Sequence, residues 1–211
     1  MFKKIYSTVA LITISTTISF ASYSAVIDYS KSNLDAANSL AEQWIINDHK
    51  NDTQNYNLID NVLRQEIAAV ARWVAKLDKK SKCDNIFSDL SDTNPNTWAC
   101  RNVEVLVDND LISRNTNFRP EDNITKSEAI AMLIKAIGFD YNYDNANSGN
   151  WQKQVVDYAA DKWVITNFSD YNTDATRGWV FMVADTTIKK DIEIKKIIEM
   201  EEIKKYSDEA M

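Results

Sequence analysis

The 211-residue chain has only three glycines, two prolines, two cysteines and one histidine. Each shortage removes a class of function. His49 stands in a polar loop with no nucleophile or orienting partner nearby in sequence, and no serine sits in a glycine elbow, so the pattern of nucleophilic catalysis is missing. Cys83 and Cys100 have no histidine partners with which to complete a zinc site. No cysteine lies near the end of the apolar N-terminal run, which leaves a lipid anchor unsupported. Basic residues are also outnumbered, 24 Lys and Arg against 31 Asp and Glu, and form no cluster; nucleic acid and anionic membrane surfaces are poor partners for such a chain. Scattered carboxylates without a defined separation do not make a glycosidase pair. The chain is therefore read as not an enzyme, with no cofactor and no metal.

Hydrophobic residues make up 45% and aromatics 10%, enough for one well-buried domain or two small ones. The first residues differ from the rest. Lys3 and Lys4 precede an uncharged run from Ile5 to Phe20 and then small residues, the layout of a signal peptide over 1–24; an uncleaved anchor is the alternative. Removing Lys3 and Lys4 leaves 22 basic residues against 31 acidic, a formal charge of −9. Export into an oxidising compartment also favours a Cys83–Cys100 disulfide over two free thiols, and such a bridge stabilises by roughly 3 kcal/mol in the chain-entropy model.

Self-similarity then organises the chain. Trp98 opens a helix carrying Val103 and Leu106 and ending near Leu111 and Ile112; Trp151 opens one carrying Val156 and Ala159 and ending near Val164 and Ile165. The offsets from the Trp are 5, 8, 13 and 14 in both cases. A degenerate copy runs from Ser32 through Ala37, Leu40 and Ile45. A second helix follows each first one, opening at Leu63, Thr125 and Thr176, with Thr125 and Glu128 spaced as a capping box. Three helix-loop-helix repeats result, at 33–78, 83–139 and 148–188, followed by a charged helical tail over 189–211. The tail, with Lys and Glu alternating around isoleucines, either docks on the core or self-associates. In the spacer before the third repeat, Asp140, Asn142 and Asp144 alternate as in a calcium loop, but Trp151 stands where the bidentate Glu is wanted.

One placement is odd. The position after each presumed cap is a cation: Arg64, Lys126 and Arg177. A cation in the first turn opposes the helix dipole at a cost of roughly 0.3–1 kcal/mol. It either pairs with a nearby carboxylate such as Asp60, Asp122 or Asp174, or joins the free helix N-terminal amides in an anion site between repeats. Trp98 and Trp151 lie beside these positions and suit stacking on sugar faces.

The run F-S-D-L, Trp98-Ala99, V-E-V-L-V, L-I-S, F-R-P and I-T-K-S-E-A-I-A-M-L-I resembles an S-layer homology motif, and with its two weaker companions it covers roughly 33–188. The resemblance implies an all-α, pseudo-threefold spindle of three motifs, anchored at the cell envelope by non-covalent binding to an anionic secondary cell-wall polysaccharide or a peptidoglycan-linked glycan. It implies that Arg64, Lys126 and Arg177 contact the acidic sugar, so that replacing one by Ala would weaken binding with the melting temperature nearly unchanged. The alternative is a structural or protein-interaction role on the same fold. The chain departs from the motif where a glycine normally follows the first helix: Asn109-Asp110 stand there in the second repeat, with Asn109 expected in the left-handed turn, and Lys162-Trp163 in the third. The third capping element reads T-R-G-W, without a Glu, and the first has no Thr.

Overall fold

The protein is described by a computed structural model covering residues 29–47, 56–93, 97–139, 150–162 and 164–209. The signal segment, His49, Asp140, Asn142, Asp144 and Trp163 lie outside these residues.

Among the described residues there are six α-helices and no strand: α1 (Tyr29–Glu42), α2 (Arg64–Val74), α3 (Thr97–Asp108), α4 (Lys126–Ala136), α5 (Trp151–Asp161) and α6 (Arg177–Glu209). No helix among them is long and apolar enough to cross a membrane. The widths of the apolar faces decide the arrangement. α1 and α5 each bury one narrow stripe, Ala36, Ala37, Leu40 and Ala41 or Val155, Val156 and Ala159, while α3 buries Ala99, Cys100, Val103 and Leu106 together with Asn102, Glu104 and Val105. These i, i+3, i+4 and i+7 spacings suit a helix covered on one side. The even-numbered helices bury more of their circumference, as in α4, where Ala129, Ile130, Leu133 and Ile134 are all fully buried. Accordingly α2, α4 and α6 all touch one another at the centre, and α1, α3 and α5 pack outside them.

The pairing runs between the repeats. No contact joins α1 to α2, α3 to α4 or α5 to α6 among the described residues; α2 packs with α3, α4 with α5, and α6 with α1. Each second helix is thus covered by the first helix of the following segment, and the last returns to the first. The Ser39 hydroxyl donates to Asp185 Oδ1 at 2.7 Å across that closure.

Three lead-in segments meet at the centre of the fold. Val62 N–H donates to the Ala175 carbonyl, Ala175 N–H to the Ile124 carbonyl and Ile124 N–H to the Val62 carbonyl, each at 2.9 Å. All three residues stand two positions before their helix and are buried. A buried amide must find an acceptor, and here each finds it in the next segment, which closes a ring. Isolated bridges Leu63–Asn123, Thr125–Asp174 and Asn61–Thr176 repeat the same offsets around it.

Scarce glycine leaves its mark at the helix C-termini. Ile45, Leu77, Leu111 and Phe139 send their amides back to Leu40, Arg72, Leu106 and Ile134, the six-residue closure of a Schellman cap. The left-handed residue before each is Trp44, Lys76, Asp110 or Gly138, so only one cap uses glycine. In the second repeat the turn falls on Asp110 (φ 58°) instead of Asn109, whose side chain donates back to the Val105 carbonyl.

Cys83 and Cys100 form a disulfide, with Cα atoms 5.9 Å apart, tying the lead-in loop to α3. Glu104, fully buried one turn further along, accepts the amides of Asp84 (2.6 Å) and Ile86 (2.8 Å). Asp92 accepts the Cys83 amide at 2.8 Å and pairs with Arg101. The loop is therefore held by carboxylates as well as by sulfur. Reduction is expected to cost roughly 3 kcal/mol and lower the melting temperature by about 6–12 °C, with less effect on ligand binding. Thermal circular dichroism with and without reductant checks this, and superimposable curves would remove the bridge from the stability account.

The charged tail is no separate element. α6 runs without a break from Arg177 to Glu209, so the segment after 188 continues a core helix outward.

Candidate functional site

The three cations hold neighbouring segments together. Arg64 Nε donates to the Phe118 carbonyl at 2.9 Å and Nη1 to Glu128 Oε1 at 2.7 Å; Arg177 makes the same two bonds, to the Tyr56 carbonyl at 3.0 Å and Glu66 Oε1 at 2.8 Å. Glu66 and Glu128 use their second oxygen to accept the amides of their own cap residues, Leu63 and Thr125. One carboxylate thus starts its helix and receives the cation of another segment. The third helix has Trp179 where this Glu would stand, and the cation that points there is Lys126, which turns to Asp170 at 2.5 Å instead. That bond holds the Asp170 carboxyl below its usual range. The pairing partners are not the nearby acids Asp60, Asp122 and Asp174.

The helix N-termini offer no free amides in these corners, which corrects the sequence-based expectation. Arg64, Lys126 and Arg177 donate their backbone N–H to the carbonyls of Asp122, Thr173 and Asp60, and Gln65, Ser127 and Gly178 donate to Pro120, Tyr171 and Leu58. The groups that would have met an anion already meet carbonyl oxygens. Gly178 in the T-R-G-W element lies close to its neighbours: a Cβ there would lie 2.8 Å from Asn33 Nδ2 and 3.0 Å from the Leu58 carbonyl, so a larger residue would push on α1 and on the loop at Leu58.

Arg64 also borders an open cleft. The space, about 270 Å³, lies between the loop after α3 and one face of α4, and Trp151 at the start of α5 closes its side. Glu128, Ala131, Met132 and Lys135 line it at helical spacing, with Phe87 and Phe118 forming an edge-to-face pair 5.6 Å apart in the same wall. Ser113, Asn115 and Asn117 supply hydroxyl and amide groups. Burial pushes the Arg64 guanidinium below its usual range, and Glu128 opposes that shift. Glu128 Oε1 is also 3.4 Å from Arg119, so this one acid faces two arginines, with Lys135 nearby in the lining. The Arg64 guanidinium, the amide and hydroxyl groups and the flanking rings suit an anionic, hydroxylated ligand.

Of the residues singled out from sequence, Arg64 and Trp151 come together in this cleft, whereas Lys126, Arg177 and Trp98 are absent from its lining. Lys126 packs over Phe168 (5.4 Å) and Trp179 (5.9 Å), and Arg177 over Phe181 (5.3 Å). Trp98 is half exposed on α3, where its carbonyl accepts from Asn102. Sequence reading missed Lys135 and the amide side chains of the loop. The signal for Lys135 was its position seven residues after Glu128, on the same helix face.

Comparison with known proteins agrees with this geography. The S-layer homology domain profile matches residues 89–130, which span α3, the cleft loop and the first turn of α4. The chain is also 22% identical over 139 residues to the Middle cell wall protein of Brevibacillus brevis (strain 47 / JCM 6285 / NBRC 100599). That alignment covers 65% of this chain but only 13% of the relative. Residues 89–130 thus match an S-layer homology domain, within a chain whose described residues form six α-helices and no strand.

Proposed function

We propose that the protein is an exported cell-envelope module that binds an anionic cell-wall polysaccharide, or a glycan linked to peptidoglycan, without covalent chemistry. Its three helix-loop-helix segments, 33–78, 83–139 and 148–188, make up a pseudo-threefold spindle of S-layer homology motifs. The cyclic hydrogen bonds of Val62, Ile124 and Ala175 support that arrangement. The observation that carries the function is the Arg64 cleft, where Arg64, Lys135 and Trp151 line one space with three neutral polar side chains. A sugar acid would meet the cations, its hydroxyls the Asn and Ser groups, and a pyranose face the Trp151 ring. The match to an S-layer homology domain and the relative's designation as a cell wall protein point to the same place.

A second reading is a surface protein that keeps the fold and binds another protein. It draws on the engagement of Arg64, Lys126 and Arg177 in contacts between segments.

The test is sedimentation of the purified protein with isolated wall sacculi, before and after stripping their acidic polymers. Lys135→Gln and Trp151→Ala serve as variants because their positions border the cleft outside the central ring. Binding is expected to vanish on stripping and to fall about tenfold in Lys135→Gln, the scale of one charge-assisted contact. Failure of the native protein to pellet with unstripped walls would move the reading to a protein partner.

A further inference from the structure

The outer part of α6 carries the largest concentration of uncovered apolar side chains among the described residues. Ile192, Ile197, Ile198, Met200 and Ile203 are 45–69% exposed on a stretch that has left the helical core. A lone helix of this length is marginal in water, so this stretch calls for a partner. The arrangement of charge says which one. Ile192, Lys196, Glu199 and Ile203 are spaced four, three and four residues apart, which places them along one face of the helix. Ile197, Ile198 and Met200 fall outside this seam.

We infer that two copies of the chain pair through this face with their α6 extensions antiparallel. In that register Ile192 of each copy lies against Ile203 of the other, and Lys196 of each against Glu199 of the other. Two apolar layers then flank two opposite-charge layers. A parallel pair in register would set Lys196 against Lys196 and Glu199 against Glu199, so the same four residues that favour one orientation repel the other. The base of the extension fits as well. A recess of about 240 Å³, lined by Trp73, Ile45, Ile137, Ile188 and Ile192, opens where α6 leaves the core. The second copy's Ile203, opposite Ile192, reaches the mouth of this recess and covers the half-exposed Trp73. This inference is independent of what the Arg64 cleft binds.

Sedimentation velocity of the full exported chain over a wide concentration range reads the outcome. The native chain is expected to double its mass as concentration rises. Lys196→Glu and Glu199→Lys are each expected to weaken self-association roughly tenfold or more, since each sets like charges face to face, and the double exchange to restore it. These are exposed positions, so the variants keep the native melting curve. An equimolar mixture of Lys196→Cys and Glu199→Cys chains should cross-link on oxidation more readily than either alone. A monomeric native chain, single variants that associate as the native chain does, or cross-linking strongest within one variant would each overturn the antiparallel pair.

Discussion

Replacing Arg64 by Ala is expected to remove wall adsorption and to lower the melting temperature by about 6–12 °C. The stability loss follows from where the guanidinium sits. Its side chain is only 12% exposed, and it spans two segments, bonding the Phe118 carbonyl and Glu128. Truncation leaves a carbonyl and a partly buried carboxylate short of a donor, a change that costs roughly 3 kcal/mol. For a chain of this size each kcal/mol is worth about 2–4 °C. Arg64→Lys restores charge without the planar fork, so only part of the stability should return. By contrast, Lys126 meets an Asp170 that is 51% exposed, and Lys126→Ala should move the melting temperature little, because a solvated pair contributes about 0–1 kcal/mol. Thermal circular dichroism and wall sedimentation on the same samples separate the effects. An Arg64→Ala protein that melts like the native one would mean that the guanidinium lies in solvent, and the inter-segment clamp would be wrong. This outcome differs from the sequence-based expectation of a nearly unchanged melting curve, because the neighbouring segment, remote in sequence, supplies both acceptors.

A second large effect is expected at Glu104. Glu104→Ala should destabilise by about 4 kcal/mol, from two stranded amides at Asp84 and Ile86 and a cavity where the side chain stood. Urea denaturation monitored by circular dichroism measures the loss. Glu104→Gln, which keeps the shape and an acceptor oxygen, should recover about half of it. A change below about 1 kcal/mol for Ala would show that water reaches those amides once the side chain is gone. The disulfide beside Glu104 stays closed in either variant, so the comparison isolates the carboxylate from the cross-link.

Local signals carried the elements, and distant ones carried the site. The helix openings were legible because capping boxes and apolar spacing act within one or two turns: Thr125 and Glu128 do bond each other as the sequence suggests. The disulfide was legible from export and from the absence of competing cysteines. The exchange of helices was not, because a stripe such as Ala99, Val103 and Leu106 announces a face to be covered without naming the helix that covers it. The repeated cation was visible as an anomaly at Arg64, Lys126 and Arg177, but its partners stand 64, 44 and 111 residues away. The same distance hid the fate of the helix N-terminal amides, whose acceptors lie in other segments. Two residues of the candidate cleft could be named in advance, Arg64 and Trp151; Lys135 could not, because only the fold turns its helix face toward the cavity.

The return of α1 to α6 has a consequence for folding. The contact between Ser39 and Asp185 spans 146 residues, so the helix that packs on α1 is supplied from far along the chain. Long-range closure of this kind carries a loop-closure cost and slows folding, so α1 and α6 are expected to become protected from hydrogen exchange together, late in refolding.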